Sequence, residues 1–154
     1  MKRVLIAYFS STGTTEKMAG YIAEGVRFSG QEAVVKKMGD IKAATEIAEY
    51  EGYIFGSPTY SHDVPEPVKS FLLLAENADL EGKLSGAFGS YTHDVSYKHD
   101  KYAPAIIFDI LQRAGKVKAF ELGPFTLKEE AVDTSEGMKS CQDYGRVFGE
   151  KLSA

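Results

Sequence analysis

The sequence predicts an α/β fold, an open parallel sheet with helices on both faces, and three observations carry that expectation. Apolar runs of strand length alternate with helix-period segments five times along the chain. The clearest run is continuous rather than alternating, as in strands covered on both faces. The 154 residues, 44% hydrophobic and 26% charged, suffice for one domain with a full core.

The elements follow in order. Residues 3–9 (RVLIAYF) read as a buried strand, and residues 10–15 (SSTGTT) as a small polar loop. A helix begins near Thr14, with Met18, Ile22, Gly25, Val26 and Ser29 at helical spacing and Gly30 as its stop. Residues 33–38 form a more polar second strand, expected at a sheet edge, and 43–49 a short helix. A third strand covers 53–56. The helix from Glu66 places Pro67 in its first turn and Val68, Phe71, Leu72 and Ala75 on one face. Residues 84–89 give a fourth strand, 104–114 a helix ended by Gly115, and 117–122 a fifth strand. The last helix carries Met138, Cys141, Gly145, Phe148 and Leu152 at steps of three and four.

Composition narrows the function. Twenty-two acidic and 18 basic residues leave a net charge of −4, against the basic face of a nucleic-acid binder. One cysteine allows neither an internal disulfide nor a cysteine-based zinc site. Cys141, on an apolar stripe, reads as core packing rather than a nucleophile. With nine Tyr, nine Phe and no Trp, aromatic contacts to a ligand fall to Tyr, Phe or His. The apolar run after Lys2 and Arg3 is shorter than the roughly 7–15 residues of a signal core, and no stretch reaches the ~18 of a membrane span. A soluble cytoplasmic protein without a membrane association is the expectation.

Ligands of open parallel sheets sit beyond the C-terminal strand ends, at the switch point, so the loops after strands one, three and four matter most. Ser10, Ser11, Thr12, Gly13, Thr14 and Thr15 place five hydroxyls and a glycine where helix-start N–H groups point outward. That combination suits a phosphate. The dinucleotide pattern G-x-G-x-x-G and the NTPase pattern G-K-[ST] are both absent from this loop, as is a cysteine nucleophile. After strands three and four, Gly56-Ser57-Pro58-Thr59-Tyr60 and Gly89-Ser90-Tyr91 each place a tyrosine past a strand end. Two such rings either sandwich a flat ligand, at about 0.5–1.5 kcal/mol per contact, or are surface residues.

On these residues the sequence resembles flavodoxins. S-x-T-G-x-T (Ser10, Thr12, Gly13, Thr15) is similar to the loop that wraps the FMN phosphate. GSPTY at 56–60, AFGSY at 87–91, Cys141 and Gly145 are similar to the flavodoxin module of flavodiiron proteins. The resemblance implies a three-layer, doubly wound, five-stranded parallel sheet of order 2-1-3-4-5, one FMN-binding domain over residues 1–154. It further implies that Ser10, Thr12, Gly13, Thr14 and Thr15 hold the phosphate. Ser57, Pro58 and Thr59 then line the ribityl chain and inner ring edge, Tyr60 and Tyr91 flank the isoalloxazine, and the backbone of Ser90, Tyr91, Thr92 and His93 meets its pyrimidine end. A diiron part is absent from the chain.

Three features depart from that pattern. Ser61 stands where flavodoxins often have the glycine whose peptide flips towards flavin N5, and a non-glycine at φ > 0 costs about 1–2 kcal/mol. A less stable one-electron-reduced flavin is expected from it. The charge of −4 is small, and His62 and His93 lie on the flavin loops, where a protonated imidazole favours reduced flavin; solvent-exposed histidines are the alternative. The long connection 91–103 serves as a lid, a substrate pocket, a docking loop or an extra helical turn.

The resemblance implies an electron carrier that takes electrons from a reductase or a ferredoxin-like donor and passes them to an acceptor enzyme through transient contacts. It is expected as a monomer or weak dimer, with no catalytic residue and no metal. The second reading is an FMN-dependent NAD(P)H or quinone reductase of the same fold. The third is a flavin-binding or flavinless interaction module.

Overall fold

The computed structural model of the chain describes residues 1–59, 64–92 and 102–153. The elements run β1 (Arg3–Tyr8), α1 (Thr14–Phe28), β2 (Glu32–Lys37), α2 (Thr45–Ala48), β3 (Gly52–Gly56), α3 (Glu66–Glu76), β4 (Leu84–Tyr91), α4 (Ala103–Arg113), β5 (Lys118–Ala119), β6 (Phe125–Lys128) and α5 (Ser135–Ser153). Single turns of tighter helix follow β2 (Met38–Asp40) and β6 (Glu129–Ala131).

The sheet order is β2-β1-β3-β4-β5, and every pairing is parallel. β1 is an interior strand, next to the β2 edge, in register with β2 (Val4 opposite Ala33) and β3 (Val4 opposite Gly52). Its side chains alternate between two cores, as the strand period of two requires. Val4, Ile6 and Tyr8 pack with Met18, Ile22 and Val26 of α1 and Cys141 and Phe148 of α5. Leu5 and Ala7 pack on the opposite face with Val68, Phe71 and Leu72 of α3 and Ile107 and Leu111 of α4. Both faces of the sheet are therefore covered, which is why the run from Val4 to Tyr8 is uninterruptedly apolar. β2 lies at the edge and is only partly buried, as its polar composition foretold.

The fifth strand differs from the expected 117–122. Pairing there is confined to Lys118–Ala119, with Phe120 N–H still reaching Ser85 O at 3.0 Å. Phe120 turns inward against Tyr144 and Phe148, and the chain then bends through Gly123, at φ +72°. Leu122 is left 53% exposed by this bend. Pairing with β4 resumes at β6, where Phe125 stands opposite Phe88 and Lys128 opposite Tyr91. The edge is one strand position filled by two segments. The Tyr144 hydroxyl of α5 reaches the interruption: it accepts from Ala87 N–H (3.3 Å) and donates to Gly123 O (2.7 Å). It reaches the β4 backbone beside Gly86, where a Cβ would stand 2.6 Å from the hydroxyl oxygen.

α1 and α5 touch backbone to backbone. A Cβ on Gly25 would collide with Gln142 O, and one on Gly145 with Ile22 O. The glycines on the two helical stripes thus set how closely the layer over β1 and β3 packs. Cys141 is buried in the same layer, and burial pushes its thiol up to about 12. The nucleophilic thiolate is correspondingly scarce at neutral pH.

Candidate functional site

The loop between β1 and α1 is closed by the Ser10 hydroxyl. Gly13 N–H donates to Ser10 Oγ at 2.9 Å, and Gly13 adopts φ +91°, in the left-handed region that a Cβ disfavours. Gly13 O then accepts Lys17 N–H (3.1 Å), so α1 starts with no side chain capping it. An N-terminus built this way turns its first N–H groups outward from a loop whose six residues carry no charge. Thr15 is buried, Ser10 and Thr14 are half-buried, and Thr12 is exposed.

The loops after β3 and β4 are fastened to it by backbone bonds that continue the sheet. Phe9 N–H donates to Gly56 O (3.0 Å), Ser57 N–H to Phe88 O (3.1 Å) and Thr59 N–H to Ser90 O (3.2 Å). The three predicted loops therefore lie side by side at the C-terminal sheet edge. Ser57 and Ser90 are buried, whereas Pro58 and Tyr91 are half-buried and Thr92 is exposed. Ser57 Oγ donates to Pro58 O at 2.7 Å. The Thr59 hydroxyl accepts Ala103 N–H at 2.9 Å, tying the β3 loop to the start of α4. Tyr60, Ser61, His62 and His93 lie outside the described residues, as does most of the connection 91–103.

Two functional neighbours escaped the sequence reading. Tyr102 is buried and stacks on Tyr91, with centroids 4.6 Å apart and planes at 26°. One face of Tyr91 is thus backed by another ring. Glu129, just beyond β6, accepts from Thr14 Oγ1 (3.2 Å) and, at the outer limit, from Thr12 Oγ1 (3.5 Å). It lies 115 residues from Thr14, so no local pattern announces it.

Charges gather around the loop rather than in it. Lys17 Nζ pairs with Asp133 at 2.9 Å, which raises its pKa, the hydrogen bond contributing most. Tyr8 at the end of β1 is raised by burial first and then by Glu16 and Asp40. Among the described residues, no group of three or more His, Cys, Asp or Glu is arranged to hold a metal ion. No helix among them is long and apolar enough to cross a membrane.

An open parallel sheet with an uncapped helix N-terminus beside two further loops at its switch point defines a nucleotide-type binding protein of the doubly wound class. The flavodoxin family model matches residues 6–140. The chain is 38% identical over 153 residues to a flavodoxin of Clostridium saccharobutylicum, covering 98% of this chain and 95% of that protein. Among solved structures, oxidised flavodoxin 2 from Bacillus cereus superposes with a TM-score of 0.83 at 29% identity, covering 97% and 99% of the two chains. The Flv1 flavodiiron core from Synechocystis gives 0.81 at 26% identity, over 99% of this chain and 36% of that one. The chain belongs to the flavodoxin family, and its cofactor is FMN. The residues present fit that cofactor: an uncapped helix start beside a Ser/Thr-rich loop suits its phosphate, and an aromatic backed by a second ring suits its flat ring.

Proposed function

We propose that this chain is a one-FMN electron carrier that exchanges electrons with partner proteins. The observation that supports it most is the lateral fastening of the three loops by the Phe9–Gly56, Ser57–Phe88 and Thr59–Ser90 backbone bonds. Ser10, Thr12, Gly13, Thr14 and Thr15 hold the phosphate, through outward N–H groups of the first turn of α1 and through hydroxyl donors. Ser57, Pro58 and Thr59 line the ribityl chain, and Tyr60 and Tyr91 flank the ring. Ser61, His62, Ser90, Thr92 and His93 complete its edges.

FMN, when bound, supplies one- and two-electron chemistry. The protein's work is positioning. Thr59 holds the β3 loop to α4, and Tyr102 backs Tyr91. This reading assigns no side chain the role of a general acid or base, as expected of a carrier. A reductase or ferredoxin-like donor and an acceptor enzyme are the partners, met transiently at the exposed sheet edge. A cytoplasmic location, a monomeric or weakly dimeric state and a single domain over residues 1–154 belong to the same proposal.

The test is anaerobic. FMN-loaded protein is mixed with NADH or NADPH, with and without a flavodoxin reductase, and bleaching is followed. Bleaching only with the reductase is expected. Rapid bleaching by the nucleotide alone would replace the carrier with an NAD(P)H-dependent reductase.

A further inference from the structure

Glu129 shares its position with the phosphate's partners. Its Oε1 accepts from Thr14 Oγ1 at 3.2 Å and from Thr12 Oγ1 at 3.5 Å, and the two hydroxyl oxygens lie 3.4 Å apart. A hydroxyl has one proton to donate. A proton given to the Glu129 carboxylate is withheld from a phosphate oxygen. Among the described residues, Lys17 is engaged by Asp133 (2.9 Å) and the neighbouring Lys128 pairs with Glu130 (3.4 Å). Glu129 is half-buried and opens the turn after β6, so this carboxylate is delivered by the same interruption of the edge strand described above.

We propose that Glu129 is an affinity-setting residue for FMN, competing with its phosphate for the Thr12 and Thr14 hydroxyl protons. This rests on the reading that the loop at residues 10–15 holds the phosphate. Binding FMN then exchanges a carboxylate acceptor for a phosphate acceptor, so the net gain from the two hydroxyls is small while Glu129 is present. Riboflavin, which lacks the phosphate, has no such competition with Glu129.

The experiment measures dissociation constants of FMN and of riboflavin by flavin fluorescence quenching. It uses wild type, Glu129→Ala, the double variant Thr12→Val/Thr14→Val, and the combination of all three changes. Glu129→Ala is expected to tighten FMN about 10-fold, the size of one charge-assisted hydrogen bond, and to leave riboflavin unchanged. In the background lacking both hydroxyls, the same change is expected to have less than half that effect. The proposal is overturned if Glu129→Ala leaves FMN unchanged or weaker, or tightens riboflavin equally. It is also overturned if the gain persists undiminished without the hydroxyls, which would make it charge repulsion alone. If wild type binds FMN no better than riboflavin, the phosphate reading itself fails, a result separable from all of these.

Discussion

Gly13 makes the sharpest single-residue demand at the site. At φ +91° an L side chain is strained even though a Cβ there meets nothing within 4 Å. Gly13→Ala is therefore expected to cost about 1–2 kcal/mol of conformational energy, seen as FMN affinity weakened roughly 5- to 30-fold or as a matching fall in stability. A titration and a urea melt that both match wild type would contradict the backbone argument. Thr59 poses a different question, because its hydroxyl serves α4 rather than standing free. Thr59→Val is expected to lose about 1 kcal/mol in urea unfolding, and Thr59→Ser to recover most of it. Much of this scale was legible: Ser10, Thr12, Gly13 and Thr15 stand out by residue type alone. Glu129 and Tyr102 did not, because each meets the site only after folding brings distant segments together.

At the scale of elements, helix and strand positions followed from period and apolar runs. β1 was legible because both of its faces are buried, and α3 because Val68, Phe71, Leu72 and Ala75 keep one face. The split of the fifth strand was not. Val117 to Leu122 is β-prone along its whole length, but Phe120 is claimed by the α5 layer and Gly123 bends the chain, so pairing stops early. What compensates is Tyr144, whose hydroxyl bonds the β4 backbone at Ala87, where edge-strand pairing is interrupted. Tyr144→Phe keeps the ring, leaves the buried Ala87 N–H without this acceptor and takes a donor from the half-buried Gly123 O. An expected loss of about 1–3 kcal/mol in unfolding free energy, with the fold retained by circular dichroism, tests this. A neutral substitution would show that the interrupted edge needs no such bridge. Gly145→Ala examines the layer beside it: the added methyl meets Ile22 O, and a loss of at least about 1–3 kcal/mol is expected from overpacking.

For the whole molecule, stability and charge carry the predictions. Burial pushes the Tyr53 hydroxyl and the Cys141 thiol each up to about 12, from 10.0 and 9.0. Both groups stay protonated in the folded chain while the unfolded chain releases the proton, so the folded state binds more protons in the alkaline window. The part of the stability carried by these two groups is therefore level below pH 9 and falls as pH rises through 9 and 10 towards 12, by up to about 1.4 kcal/mol per unit for each group. Urea midpoints that stay flat from pH 8 to 11 would contradict this. The same burial predicts that Cys141 resists thiol reagents until the chain unfolds. The net charge of −4 is a modest field, so partner association is expected to depend only weakly on salt compared with a strongly acidic carrier.

The central claim is that three fastened loops form one site whose first loop holds a phosphate. Equilibrium titration of the purified chain with FMN and with riboflavin tests it most directly. One FMN per chain, bound at least about 10-fold more tightly than riboflavin, is the predicted result. Equal affinity for the two flavins, or no quenching by either, would contradict it.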